Sequence, residues 1–353
     1  MPSIKNVDVG VIAHGLGVKE VSSGEGKVYL TSFEMLRERG VSFTPISFAK
    51  PKRTNAVYFL PFSLPKLDKY QRILVKLPAS RVIPKVFLNL SGVPIPLSKI
   101  APHVVYAGAP ALSSLPSKYK GIWRVYLLPF RLYLPTLRRE ARQCIFIANS
   151  RLSAKAISEV YNVSEPDVVY PPVEVEKFGE VYKHRDREDM FISIGRIERG
   201  KMLENAIYLS AMTGVKGVIM GSLVERDYLE KLKRIRDKHH ANVEIYHDVD
   251  QGEMIKVMGR AKVYFHPTIG EHFGIPVVEA MASGLTPLVP VQSGAYEVVP
   301  KELGYNTLEE ASSKLRDLLR EDMRERVHEI AMGFSASSFK RRLWDYLSRF
   351  LDN

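Results

Sequence analysis

The chain has 353 residues, 45% hydrophobic and 25% charged, which excludes disordered and collagen-like classes and suits two domains of roughly 100–200 residues each. No apolar run nears the ~18–20 residues of a membrane-spanning helix, the N-terminus lacks the pattern of a secretory leader, and the lone Cys144 allows no internal disulfide, so a cytoplasmic protein is expected. Net charge is +12, an excess that favours anionic partners such as nucleotide diphosphates or an anionic membrane surface. No recognition motif accompanies it, and no specific nucleic acid is expected.

Val7–Ala13 reads as a buried strand, followed by a loop holding Gly15, Gly17, Gly24 and Gly26. Val28–Arg39 has helical spacing with Leu30, Phe33 and Leu36 inward, and Gly40 is its stop. Val41–Phe48 is the next strand. The proline-rich stretch from Lys50 to Leu97 has room for one or two further units. Val104–Ala107 is a strand end and Ile145–Ala148 a short strand. A helix from about Leu152 to Tyr161 follows, then a strand Val168–Tyr170 broken by Pro171-Pro172. Pro172 to Asp189 is polar with no apolar period and reads as the linker between domains.

A second series begins at Met190. Its strands are Phe191–Ile194, Gly217–Met220, Val243–Tyr246, Val263–Phe265 and Thr286–Pro290. Its helices are Lys201–Met212, Pro276–Ser283, Leu308–Leu319 and Arg324–Met332, and Phe339–Leu351 is a last amphipathic helix. Alternating strands and helices predict an α/β protein with parallel sheets.

The most specific segment runs from Gly270 to Ala280 and places Glu271 on the loop after a strand and Glu279 about one turn into a helix. Ligands of open α/β sheets bind at that edge. A helix start suits phosphate, Gly274 allows close backbone approach, and carboxylates accept hydrogen bonds from vicinal hydroxyls. A bare pair of glutamates at this spacing reads equally as a solvated loop and helix surface; the whole string is what carries the signal. Gly195-Arg196 and Lys201 follow another strand. Two fixed cations there can stabilise a leaving diphosphate without a metal.

These segments resemble the family-4 retaining glycosyltransferases, whose signature is E-x7-E within a string like E-x-F-G-[IL]-P-x-x-E-A-M-A-x-G. Here it stands as Glu271-His272-Phe273-Gly274-Ile275-Pro276-Val277-Val278-Glu279-Ala280-Met281-Ala282-Ser283-Gly284. Arg196 and Lys201 match the family's diphosphate pair. Ile147-Ala148-Asn149-Ser150 with Val169-Tyr170-Pro171-Pro172-Val173 resembles its domain junction, and Gly294-Ala295-Tyr296-Glu297-Val298-Val299 its G-G-x-x-E segment. The likeness is continuous from about residue 145 to 300.

The resemblance implies a GT-B fold: two Rossmann-like domains facing across a cleft. They would be an acceptor-binding domain 1–172 and a donor-binding domain 173–335, with a C-terminal helix 336–353 returning to the first. It implies transfer of a hexose-type sugar, with retention, from a nucleotide-sugar donor to a sugar or lipid-linked acceptor, with no metal and no cofactor. Glu279 would bind the donor ribose. Glu271 would contact the sugar hydroxyls, with backbone at Phe273, Gly274 and Ile275. Arg196 and Lys201 would hold the diphosphate, and Gly24 and Gly26 would meet it across the cleft.

The pattern departs in three places. Where the family often has P-D-V-V-H-A-H, this chain has Pro102-His103-Val104-Val105-Tyr106-Ala107-Gly108. The family's glycine after the phosphate lysine is Met202. His14 and His103 read either as cleft residues or as structural histidines. The stretch Trp123–Leu134, followed by Arg138, Arg139 and Arg142, reads either as a membrane-interface segment, making the protein peripheral, or as a core helix with a basic outer face. A sugar-nucleotide epimerase and a non-catalytic sugar-nucleotide or membrane-surface binding protein remain alternatives on the same fold.

Overall fold

A computed structural model describes residues 5–16, 23–64, 67–108 and 122–351. The chain forms two compact units, Met1–Pro172 with Ala336–Asn353, and Val173–Ser335.

The first unit runs β1 (Lys5–Ile12), α1 (Gly24–Glu38), β2 (Phe43–Ala49), β3 (Val57–Leu60), α2 (Asp68–Leu74), α3 (Lys76–Ala79), β4 (Val82–Asn89), β5 (His103–Ala107), α4 (Ile122–Ala141), β6 (Ile145–Ala148), α5 (Arg151–Tyr161) and β7 (Asp167–Val168). The strands pair in parallel in the order β3-β2-β1-β4-β5-β6-β7. Helices cover both faces, which is why the central strands read as continuous apolar runs. Phe87 and Val105 point into one core with Phe130 and Leu137 of α4 and Ile157 of α5. Their neighbours Val86, Leu88 and Val104 point into the other, with Tyr29 and Phe33 of α1. The C-terminal helix Ala336–Leu347 packs on that second face through Phe339, Leu343 and Leu347, while Lys340 pairs with Glu34 and Glu38 of α1.

Gly24 and Gly26 do not lie in a loop; they form the first turn of α1. Ser23 caps that helix by accepting from the Gly26 amide at 3.0 Å, and this cap outweighs the low helix propensity of glycine. Gly17 lies outside the described residues. Leu30 is exposed, and Tyr29 and Ser32 take the inward positions beside Phe33 and Leu36. The proline-rich stretch holds β3, α2, α3 and β4.

The second unit runs α6 (Val175–Phe178), β8 (Glu188–Ile194), α7 (Glu204–Thr213), β9 (Lys216–Gly221), α8 (Arg226–Lys238), β10 (Val243–His247), α9 (Gln251–Arg260), β11 (Ala261–Phe265), α10 (Ile275–Ala282), β12 (Thr286–Pro290), β13 (Gly304–Tyr305), α11 (Leu308–Leu318) and α12 (Arg324–Met332). Its parallel sheet has the order β10-β9-β8-β11-β12-β13. Helices α8 and α9 were not expected. Their apolar residues do recur at helical spacing, Tyr228, Leu229, Leu232 and Ile235 in α8 and Met254, Ile255, Val257 and Met258 in α9, set among charged ones.

The expected linker from Pro172 to Asp189 is not one. Val175, Phe178 and Val181 are buried within the second unit. Arg187 ties the stretch down, donating to Ala261 O at 2.8 Å and Ser283 O at 2.7 Å, and to Val181 O and Tyr182 O. Three apolar anchors and one internally bonded arginine leave a composition that looks solvated.

Candidate functional site

Strand order reverses between β8 and β11 in the second sheet, and ligands of such sheets bind beyond the strand C-termini at that reversal. Glycine sets the geometry of the loop after β8. A Cβ on Gly221, at the end of β9, would stand 1.8 Å from Gly195 O, so only glycine lets the Gly195-Arg196 backbone cross there. Ile197 N then donates to Ser222 O at 2.8 Å. A tight turn at Arg199–Lys201 follows and closes on Met202, which is left-handed at φ +51°. That conformation favours glycine, so the departure at Met202 is a strained position.

The loop after β11 is bonded to this turn. Thr268 Oγ1 donates to Lys201 O at 3.1 Å, and Asn205 Nδ2 donates to Pro267 O at 3.3 Å. Lys201 and Glu271, 70 residues apart in sequence, therefore meet, and the Lys201 ammonium bonds the Glu271 carboxylate directly. The pair is recessed, with side chains 21% and 26% exposed. Burial works to raise the Glu271 carboxyl, but the lysine charge and hydrogen bond outweigh it and hold the group below its ordinary range.

His266 was not foreseen. It follows β11, is 3% exposed, and neither ring nitrogen has a hydrogen-bond partner among the described residues. Burial pulls its pKa down to about 4, with Lys201 acting in the same direction and Glu271 opposing. Its backbone is fixed: the amide donates to Leu288 O at 2.9 Å and the carbonyl accepts from Tyr305 OH at 2.8 Å. In sequence it reads as the last residue of a strand, and nothing there marks its burial.

Helix α10 begins beside Glu271. Gly274 is its left-handed N-cap at φ +87°, where an added Cβ would also meet Ala295 Cβ at 3.0 Å. Gly294 clamps the loop from above. Its amide donates to Glu271 O at 2.6 Å, and a Cβ there would lie 1.9 Å from His272 O. Ile275 opens the helix half-buried, and Pro276 follows in the first turn with no amide hydrogen to give. Phe273 is buried, its ring packed 6.1 Å from that of Phe334. Glu279 is 6% exposed. Burial pushes the Tyr264 phenol upward, and the charges of Glu271 and Glu279 add to that. Arg196 differs from these: its side chain is 60% exposed and pairs with Glu198 at 2.9 Å.

The corresponding edge of the first sheet, at the β1/β4 reversal, carries a charged network. Arg72 of α2 pairs with Glu25 at 3.2 Å and Asp68 at 3.1 Å and donates to Ser91 O at 2.6 Å. His14 lies buried beneath, 3.3 Å from Asp68 and from Tyr29 OH. Gly24 and Gly26 flank Glu25 in the first turn of α1. Tyr106 does not stand in for the family's histidine. It is buried in the first unit, its hydroxyl donating to Val169 O at 3.0 Å and its ring set edge-on to Phe339.

His103 is structural. It lies with Glu140 and Cys144 within 4.8 Å, a candidate set of metal ligands. Asn89 Oδ1 accepts from the Ser91 amide at 2.9 Å, so Asn89 Nδ2 faces His103 Nε2 at 3.0 Å. Nε2 thus accepts, and Nδ1 carries the proton toward Glu140 and Cys144. A metal on Nδ1 would have to displace that proton. Glu140 is also committed, accepting from the amides of Leu97 at 2.9 Å and Ser98 at 2.7 Å.

Residues 174–331 match the family described as Glycosyl transferases group 1. The two units have the fold of GT-B glycosyltransferases. HepE of Anabaena, solved in complex with UDP, superposes with a TM-score of 0.72 at 14% identity, over 97% of this chain and 100% of that one. Sucrose-phosphate synthase of Thermosynechococcus elongatus superposes with a TM-score of 0.73 at 12% identity, over 98% of this chain and 99% of that one. In sequence, the GDP-Man:Man(3)GlcNAc(2)-PP-Dol alpha-1,2-mannosyltransferase of Dictyostelium discoideum is 25% identical over 211 residues, 51% of this chain and 41% of that protein. The chain thus spans less than half the length of the curated relatives it matches.

Proposed function

We propose that the protein is a retaining glycosyltransferase that moves a hexose-type sugar from a nucleoside diphosphate sugar to a hydroxyl of a lipid-linked or free glycan. The observation that carries this reading is the recessed Lys201–Glu271 pair beside the start of α10, at the strand reversal of the second sheet. The match of residues 174–331 to a glycosyltransferase family supports it. So do mannosyltransferase relatives whose names specify a GDP-mannose donor and a dolichol-linked glycan.

In this reading Lys201 and Arg196 hold the diphosphate and stabilise the charge that grows on it as the sugar leaves, so the chemistry proposed needs no metal. The lysine is pre-placed by its pair with Glu271, and an arriving diphosphate competes for it. Glu271, kept ionised, accepts hydrogen bonds from sugar hydroxyls. Glu279 accepts from the ribose. The backbone from Phe273 to Ile275, turned by Gly274, approaches the sugar and phosphate. Glu271 and Glu279 are not an acid–base pair. Retention instead follows from the acceptor hydroxyl entering on the face from which the phosphate departs, with orientation and charge stabilisation as the protein's contribution. Gly24 and Gly26 are assigned to the donor diphosphate on the same reading.

The test is release of nucleoside diphosphate from a panel of UDP-, GDP- and ADP-sugars with glycan acceptors, with the anomeric configuration of the product read by NMR. An α-linked product from an α-configured donor is expected. An inverted product refutes retention. Interconversion of sugars without transfer identifies an epimerase, and tight donor binding without turnover on any donor–acceptor pair identifies a binding protein.

A further inference from the structure

Both ring nitrogens of His266 are buried without a hydrogen-bond partner among the described residues. Buried polar groups in folded proteins are normally bonded, and leaving one unmet costs stability. An apolar side chain would fill the same space without that cost. The imidazole therefore asks for a partner that it gains in another state of the site.

Strand geometry sets the ring on the floor of the site. Side chains two apart on a strand share a face, and the rings of Tyr264 and His266 lie 6.1 Å apart and 25° from parallel. Tyr264 reaches across to β8, its hydroxyl donating to Ile194 O at 3.2 Å. His266 stands one step further along the chain, toward the C-terminal edge of the sheet where Lys201 and Glu271 meet. The Lys201 stem passes over the residue after Ile194: a Cβ on Gly195 would lie 3.6 Å from Lys201 Cγ. Thr268, two residues past His266, holds Lys201 O at 3.1 Å. The ring thus shares one floor with the Lys201–Glu271 pair, and the charges of both reach it. Burial keeps it neutral near pH 7, with one N–H to give.

The pair has a need that this N–H can meet. Among the described residues Lys201 is the only hydrogen-bond partner of the Glu271 carboxylate. A diphosphate that draws the lysine away would leave a recessed carboxylate unbonded, which is costly. Both main chains are pinned. Glu271 O accepts from the Gly294 amide at 2.6 Å, and the His266 amide and carbonyl are bonded to Leu288 O and Tyr305 OH. A change of partner therefore needs side-chain rotation alone.

We propose that His266 is a positioning residue for Glu271, its N–H taking up the carboxylate when the donor's diphosphate engages Lys201. The exchange moves no proton. It keeps Glu271 ionised and turned to the sugar hydroxyls while the lysine serves the phosphate. The inference rests on the transferase reading, which makes a diphosphate the ligand of Lys201.

Binding of UDP, GDP and ADP is measured by titration calorimetry on the wild type, His266→Leu and His266→Gln, and each change is repeated in the Glu271→Gln background. His266→Leu should keep or raise the melting temperature of the free protein at neutral pH, because the ring is unbonded there. It should weaken nucleotide binding about tenfold or more, the worth of a hydrogen bond to a charged group. His266→Gln, whose amide also donates, should recover most of that loss. The Glu271→Gln background holds no carboxylate to position, so His266→Leu should there change affinity less than about twofold. Unchanged affinity of His266→Leu overturns the proposal, and with a lowered melting temperature it assigns the ring to packing alone. An equal loss in the Glu271→Gln background also overturns it, because the ring then touches the nucleotide itself. A wild type that binds none of the three nucleotides refutes the transferase reading instead.

Discussion

Replacing Lys201 with methionine keeps most of the length of the side chain and removes its charge, leaving the Glu271 carboxylate recessed without its lysine partner. The pair is about three-quarters covered. Its loss should therefore cost more than the ~0–1 kcal/mol of an exposed pair and less than the ~3–5 kcal/mol of a fully buried one. About 2 kcal/mol is expected, or roughly 4–8 °C in melting temperature for a unit of this size. The cost carries a pH signature. In the native protein Glu271 sits below its ordinary range, so its contribution to stability is present above the unfolded pKa and is lost as pH falls through the lower folded value. In Lys201→Met the main counterweight to burial is gone and the carboxyl rises, so its penalty is largest at neutral pH and is relieved as acid protonates it. The two melting curves should therefore be furthest apart near neutrality and converge in acid, and Glu271→Gln added to Lys201→Met should restore most of the loss. Donor affinity, measured by titration calorimetry with UDP and GDP, should fall about tenfold to a hundredfold, the worth of one charge-assisted hydrogen bond of ~1.5–3 kcal/mol. Identical melting at neutral pH would refute the desolvated pair, and unchanged nucleotide affinity would refute the diphosphate role.

Arg196→Ala should weaken nucleotide binding by a similar factor without moving the melting temperature, because that side chain is exposed and pairs only at the surface; calorimetry and a thermal melt read both. Gly294→Ala places a Cβ 1.9 Å from His272 O and must displace the loop that carries Glu271. A stability loss of about 2–3 kcal/mol is expected by chemical denaturation, together with loss of donor binding. His266 stays neutral in the fold down to about pH 4, so acid favours the unfolded chain, and its contribution to stability is present above the unfolded histidine value and lost as pH falls through 4. His266→Leu should remove an acid-dependent term on the order of 3 kcal/mol between about pH 6.5 and 4; parallel stability–pH curves for variant and wild type would refute this burial. Glu279→Ala should weaken nucleoside diphosphates more than it alters sugar preference, read by competition between UDP and UDP-sugars. A change in sugar preference alone would reassign that residue.

How much was legible depended on what the signal needed. Strands such as β6 and β12 are unbroken apolar runs in the sequence because helices cover both faces of each sheet, and they appear where expected. Helices α8 and α9 were legible as well, since their few apolar residues recur at helical spacing among charged ones. Gly24 and Gly26 suggest a loop by propensity alone, and the helix there rests on the Ser23 cap, a bond made by one side chain to one amide. The polar stretch after Pro172 looked free because the bonds that hold Arg187 run to carbonyls as far away as Ser283.

The residue types of the candidate site and their order were legible in the chain alone. A glycine that must turn left-handed at 274, carboxylates at 271 and 279, and basic residues after a strand are local requirements, and local chemistry is written in adjacent letters. Which of these groups meet is set by long-range packing. It paired Lys201 with Glu271 across 70 residues and left Arg196 in solvent. Among the described residues it buried His266 without a hydrogen-bond partner, turned Tyr106 and His103 into structural residues, and left Val125, Leu128 and Leu132 of α4 exposed. Pairing, desolvation and exposure depend on what long-range packing brings alongside a residue, and no spacing along the chain encodes that.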